Sequence, residues 1–256
     1  MEIVKIDTAA KTVHKTEDYV AEEKPLHIFI NKRHYATIMC TPKDLKELAV
    51  GHLLTEDIVK VVEEIEEITF KEDACRINLK PSVNLETRLK FARMFSRIIP
   101  SACGGPYQPQ VLKTLKKVSS KTAVKAETIQ SCVKSLNRSA ETFRKTGGVH
   151  AAAIYKADGT LLAFAEDVGR HNAVDKAIGK CALNKASFGE CFLALSGRLT
   201  ADIVLKAARV GIPIIASIAA ALNSGIKVAR KANLTLIGFV RGNRMNIYNA
   251  PERILS

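Results

Sequence analysis

Tryptophan is absent from the 256 residues, and aromatic side chains supply only 5% of them although 47% are hydrophobic. An interior drawn from that pool is aliphatic and close-packed, and disorder is not expected. No apolar run reaches the roughly 18 residues of a membrane span, and Met1-Glu2-Ile3-Val4-Lys5 begins no signal-type segment. A soluble cytoplasmic protein without a membrane partner is expected. The six cysteines, at 40, 75, 103, 132, 181 and 191, include no Cys-x-x-Cys pair and lack the density of a disulfide scaffold. Reduced thiols are the expectation. The six histidines form no HxxxH or HExxH cluster, which removes the usual zinc sites. A Walker phosphate loop is missing as well.

Charge is present and unevenly placed. Residues 1–100 hold 16 Lys and Arg against 17 Asp and Glu, whereas residues 101–256 hold 23 against 9. The net charge of +13 thus belongs to the second part of the chain. A field of that sign concentrates anions, either nucleic acid or a phosphorylated cofactor. Nucleic acid is disfavoured, because no aromatic interleaving and no standard binding motif accompany the charge.

Residues 25–40 read as two strands about an Asn31-Lys32 turn. Thr41-Pro42-Lys43-Asp44 reads as a helix start with Thr41 as cap, followed by apolar positions from Leu45 to Leu53. Strands are expected at 61–70 and 75–79, and helices at 86–100, 110–119 and 127–145. From 149 to 240, strands and helices alternate: a hairpin at 149–165, helix 172–184, strand 191–195, helix 202–209, strand 212–217, helix 224–231 and strand 234–240. This order predicts an α/β fold, with a layered sheet covered by helices over 100–256 and a smaller α+β region over 1–99.

Four segments carry chemical potential. Cys103 stands in Ser101-Ala102-Cys103-Gly104-Gly105-Pro106, where small residues leave a sulfur room to reach another molecule; a thiolate near cations is a strong nucleophile. The other cysteines read as core residues, with Cys40 the hardest to dismiss. In Glu166–Lys176, either Asn172 caps a helix after a charged loop, or Arg170 and His171 reach a ligand while Asp167 or Asp175 fixes them. In Leu195–Asp202, a Ser-Gly-Arg turn either joins strand to helix or lets Arg198 and free amides hold an anion. In Gly238–Arg244, Gly242 permits a tight turn, so that Arg241 and Arg244 face one phosphate and Asn243 offers an amide. If the strands before these turns are neighbours, Arg170, Arg198, Arg241 and Arg244 line one face.

Taken together, these segments resemble the FdhD/NarQ family of formate dehydrogenase accessory sulfurtransferases. The resemblance rests on Cys40-Thr41-Pro42 with Leu45 to Leu53, Gly147-Gly148-Val149-His150-Ala151-Ala152, Asp167 to Lys176, Ser196-Gly197-Arg198, Gly211-Ile212-Pro213 and Thr235 to Arg241. It implies a three-layer α/β/α cytidine deaminase-like domain beside the smaller N-terminal region. It also implies a sulfur carrier that accepts persulfide sulfur from a cysteine desulfurase and passes it to a molybdenum or tungsten bis-pterin guanine dinucleotide cofactor. That cofactor then enters formate dehydrogenase. Cys103 matches the family's loop cysteine, and Phe239-Val240-Arg241-Gly242-Asn243-Arg244 matches its cofactor-binding stretch; Arg198, Arg170 and His171 are expected to assist. A homodimer is a family-level expectation. Family members usually carry Cys-x-x-Cys in the loop, and here Pro106 holds the second position. Transfer must then run through one thiol, or the protein keeps cofactor binding as a chaperone without transfer. Deamination is disfavoured: His150-Ala151-Ala152 lacks the glutamate of His-x-Glu, and no Pro-Cys-x-x-Cys occurs.

Overall fold

The computed structural model describes residues 1–92, 97–99 and 115–256. Cys103 and its loop lie outside the described residues. Strands β1 (Glu2–Asp7) and β2 (Thr12–Glu17) form an exposed antiparallel hairpin that sequence reading does not anticipate. The hairpin expected over 25–40 forms as β3 (Lys24–Ile30) and β4 (Arg33–Cys40). Asn31 and Lys32 turn it with φ of 47° and 67°, the left-handed values a tight two-residue connection favours.

Helix α1 (Leu45–Thr55) starts later than Thr41-Pro42 predicts, after Asp44 in the left-handed region. Thr41 is engaged elsewhere: its N–H donates to Asp167 and its hydroxyl accepts from the Val168 N–H. Strands β5 (Ile65–Lys71), β6 (Ala74–Leu79) and, after α2 (Leu85–Ala92), β7 (Arg97–Ile99) complete a five-stranded sheet in the order β5-β6-β3-β4-β7. The helix expected at 86–100 is therefore short, because the chain turns to pair beside β4. Residues 115–119, the described part of the helix expected at 110–119, have no regular structure. Val118 instead donates its N–H to the Ala232 carbonyl.

Past β8 (Val124–Lys125), the expected 127–145 helix divides at Ala140 into α3 (Ala126–Ser139) and α4 (Glu141–Thr146). The Glu166 carboxylate accepts the N–H groups of Thr142 and Phe143, which starts α4 afresh. The larger sheet contains β9 (His150–Lys156), β10 (Leu161–Asp167), β11 (Cys191–Leu195), β12 (Ile214–Ser217), β13 (Thr235–Arg241) and β14 (Arg244–Asn249), in the order β10-β9-β11-β12-β13-β14. Helices α5 (Arg170–Leu183), α6 (Ala201–Val210) and α7 (Asn223–Ala232) join its strands. The short β15 (Ile254–Leu255) returns to pair with β8.

Alternation along the strands divides the core. Leu193 and Leu195 face the side of α5, α6 and α7, while Phe192 and Ala194 face α3. Each large side chain fully buried this way contributes about 1.5–3 kcal/mol. The first cluster runs on without a break through α1 into the five-stranded sheet, so its residues lie on both sides of residue 100. Helices α1 and α5 cross at backbone contact: a Cβ on Gly51 would stand 1.8 Å from the Asp175 carbonyl oxygen, and one on Gly179 1.9 Å from that of Glu47. Among the described residues strand β10 is a sheet edge, and two lysines of α5 reach it. Lys180 donates to the Phe164 carbonyl at 2.9 Å and Lys176 to that of Glu166 at 3.5 Å.

Candidate functional site

Strands β11, β12 and β13 are mutually parallel, and β9 runs against both β10 and β11. Four strands (β10, β11, β12 and β13) therefore end at one edge of the sheet, and the opposed β9 and β14 begin there. His150 pairs with Asp167 across β9 and β10, Leu195 with Ser217 across β11 and β12, and Arg241 with Arg244 across β13 and β14. The carboxyl edge of such a sheet is where open α/β folds hold ligands. The strands that precede the arginines are not neighbours, since β9 lies between β10 and β11 and β12 between β11 and β13, but all three end at this edge.

One pole of the edge surrounds the start of α5. The N-cap is Gly169, not Asn172, so Arg170 and His171 occupy the first turn. The aliphatic part of Arg170 lies across Gly197, where an added Cβ would come 3.1–3.2 Å from it, and exposed Arg198 follows directly. His171 is buried, with Nε2 3.7 Å from the Asp202 carboxylate; this nitrogen and the buried Thr200 hydroxyl have no hydrogen-bond partner among the described residues. Burial pushes the His171 pKa down, as do the Lys206 and Arg170 charges, against the pull of Asp202. His150 joins the same pole, its Nδ1 3.2 Å from the Ser196 hydroxyl. Sequence reading does not single it out as a site residue. Its motif is visible, but only the reversed direction of β9 brings its first residue to the other strands' last ones.

The second pole is the β13–β14 turn. Gly242 has φ 56°, at the first central position of a two-residue hairpin, where glycine fits best. Arg241 donates from Nε to the Ile218 carbonyl beyond β12 and lies 5.5 Å from the centroid of the Phe239 ring. Phe239 itself has φ 52°, a left-handed conformation costly for a bulky side chain and often held at ligand sites. Arg244 and Asn243 are exposed, but Val240 is buried among residues under α3 and is part of the core. Neighbouring strands lie about 4.7–4.9 Å apart, so the poles on β9 and β13 are separated by roughly 14 Å.

The remaining polar residues of Asp167–Lys176 build the frame. Buried Asp167 holds the Lys176 ammonium at 2.6 Å and accepts from Gly169, Asn172 and Thr41. Burial pushes its carboxyl up, against the pull of Lys176 and those donors. Asn172 also donates to the Met39 carbonyl, which ties α5 to the end of β4. Asp175 faces the other way: it accepts from Lys206 and Thr55 at 2.8 Å and sits 3.1 Å from His52. Its burial would raise its pKa, but Lys206 and His52 outweigh this and hold it at about 2. The two aspartates thus hold the helix in place, whereas the sequence suggests that one of them fixes Arg170 and His171.

Cys40, Cys75, Cys132, Cys181 and Cys191 are all buried and unpaired. Burial pushes their thiols up, to about 12 for Cys40, Cys75 and Cys181 and about 11 for Cys132 and Cys191. None is a nucleophile at neutral pH.

Comparison with known proteins agrees with this architecture. The FdhD/NarQ family model matches residues 21–255. A relative named sulfur carrier protein FdhD, from Sulfolobus acidocaldarius, is 40% identical over 241 residues, covering 93% of this chain and 92% of its own. Its namesake from Bacillus subtilis is 36% identical over 245 residues, covering 94% and 92%. A crystal structure from Desulfotalea psychrophila, of a protein assigned as a formate dehydrogenase accessory protein, superposes with a TM-score of 0.82 at 30% identity, covering 100% of this chain and 98% of that one. From residue 21 onward, with its strand-end arginines included, the chain belongs to the FdhD/NarQ family.

Proposed function

We propose that the protein is a sulfur carrier, taking persulfide sulfur at Cys103 from a cysteine desulfurase and delivering it to a molybdenum or tungsten bis-pterin guanine dinucleotide bound as substrate, for use by formate dehydrogenase. The observation that carries this reading is the convergence of Arg170, Arg198, Arg241 and Arg244 on one sheet edge. Two cationic poles about 14 Å apart suit an extended ligand with phosphates and a second anionic end. Phe239, Arg241, Gly242, Asn243 and Arg244 form the nucleotide pole; Arg170, His171 and Arg198 form the other.

Transfer requires the thiol to reach this edge. Ile99 pairs opposite Ile38, two residues before Cys40, and Thr41 is bonded to Asp167 at the same edge. Cys103 follows Ile99 by four residues, or about 13–14 Å of extended chain. In the first step, the Cys103 thiolate attacks the outer sulfur of the desulfurase persulfide, and the desulfurase cysteine leaves as thiolate. Pro106 removes a second loop thiol, so the sulfur stays on Cys103 until delivery. The larger sheet, with helices on both faces, supports the deaminase-like reading of the architecture, while Ala152 leaves no general acid for deamination.

Complementation of a strain lacking its own carrier tests the proposal. Wild type should restore formate dehydrogenase activity and Cys103→Ala should not. After incubation with desulfurase and cysteine, intact mass should rise by one sulfur atom in the wild type alone. Equal rescue by both proteins would leave cofactor binding without transfer.

A further inference from the structure

Sulfur transfer at Cys103 and cofactor binding by arginines leave His150 without a role, yet its ring is held by a hydroxyl at the α5 pole. Ser196 accepts the Ala151 N–H at 3.0 Å, and the same hydroxyl lies 3.2 Å from His150 Nδ1. That hydroxyl can accept from Ala151 and at the same time donate its own hydrogen to Nδ1. A ring whose Nδ1 accepts carries its proton on Nε2. Nε2 makes no hydrogen bond among the described residues, and the ring is only half-buried. Arg170 and His171 from α5, Arg198 from the turn after β11 and Asp167 from β10 surround it. Burial first, then the charges of Arg170, His171 and Arg198, lower its pKa, so the imidazole is neutral at pH 7. In that tautomer the ring is a neutral donor beside the cations of Arg170 and Arg198.

We infer that His150 is the directional hydrogen-bond donor for the metal-bearing end of the client cofactor, its Nε2–H meeting an anionic oxo or sulfido ligand. Arg170 and Arg198 supply the attraction, and Ser196 acts as the positioning residue that sets the tautomer. This rests on the sulfur-carrier reading, and it assigns the α5 pole a ligand chemistry distinct from the nucleotide pole at Arg241 and Arg244. Neutrality matters in a donor at this place, because it orients the ligand without adding charge that would hold a product too tightly.

Nitrogen-15 NMR of histidine-labelled full-length protein, titrated with molybdate, tetrathiomolybdate and guanosine diphosphate separately, tests it. In the free protein, His150 should show a pyrrole-type Nε2 and a pyridine-type Nδ1, and Ser196→Ala should turn this into a tautomer mixture. One or both metallates should shift Nε2, the oxo and sulfido forms being told apart by which does so. His150→Ala should weaken that binding about tenfold, the worth of one hydrogen bond to a charged acceptor. His150→Gln, which keeps an N–H near the same place, should recover most of it. Guanosine diphosphate should depend on Arg241 and ignore His150. A protonated Nδ1, or metallate binding unchanged in His150→Ala, overturns the assignment and leaves the sulfur-carrier reading standing. Wild type that binds metallate through His150 but not guanosine diphosphate supports the donor and sinks that reading.

Discussion

Gly51→Ala should destabilise the protein by at least about 3 kcal/mol, although alanine is the better helix former. At Gly51 a Cβ would stand 1.8 Å from the Asp175 carbonyl oxygen, and a carbon–oxygen contact settles near ~3.3 Å. The α1–α5 crossing must therefore open by roughly 1.5 Å. His52 and Thr55 lie on α1 and Asp175 on α5, so contacts of 3.1 and 2.8 Å stretch beyond hydrogen-bond range. Overpacking costs about 1–3 kcal/mol. Each lost bond to a buried charge costs about 1.5–3 kcal/mol. Against these, alanine returns about 1 kcal/mol of helix propensity. Urea unfolding followed by circular dichroism measures the difference as a lower midpoint at unchanged slope. Gly189→Ala is the control, since nothing lies within 4 Å of a Cβ there. A Gly51→Ala midpoint equal to or above wild type would refute the reasoning. Because α5 carries Arg170 and His171 at its first turn, the surviving folded fraction should also bind anions more weakly.

Asp175 has its carboxyl held at about 2, below the ordinary 3.8. A depressed folded-state value stabilises the fold fully above the unfolded pKa, so about 2 kcal/mol should disappear as pH falls from about 4 to about 2; acid titration of stability in Asp175→Asn should lack that component. Maleimide labelling of the native protein should modify Cys103 and spare the five buried cysteines, all six reacting after unfolding; fast labelling of Cys40 would contradict its burial. Arg241→Ala should weaken guanosine diphosphate binding about tenfold or more in a calorimetric titration. Val240→Ala, in the same motif, should instead cost roughly 2 kcal/mol of stability, about two methyl groups of burial, and leave affinity for the nucleotide near wild type.

How far the chain can be read from its residues alone depends on the range of the interactions. The β3–β4 hairpin and the alternation from β9 to β13 are local patterns, and both stand as expected. The polar residues of the arginine turns are legible for the same reason, since a turn after a strand announces them, but their shared edge follows from the order of the strands. Asn172 resembles a cap in sequence because its partner, the Met39 carbonyl, is 133 residues away. Thr41 resembles a helix cap for the same kind of reason, its partner being Asp167. Val240 looks like a site residue inside a contiguous motif, but the two-residue period of a strand turns it inward. His150 is hidden by topology: the expected hairpin tells that β9 runs opposite to β10, but nothing in its own neighbourhood tells that it also lies antiparallel beside β11.

Lys176 and Lys180 on the open side of β10 also bear on how the protein survives at high concentration. Phe164 and Glu166 are alternate residues, so their carbonyls point the same way, outward from the last strand. An unclaimed row of such groups is a template on which another chain can add a strand. The two ammonium groups occupy that row from within the molecule, at positions where a neighbouring backbone would have to dock. Crowding during synthesis, before α5 has packed, would expose the row; aggregation of this protein should begin there.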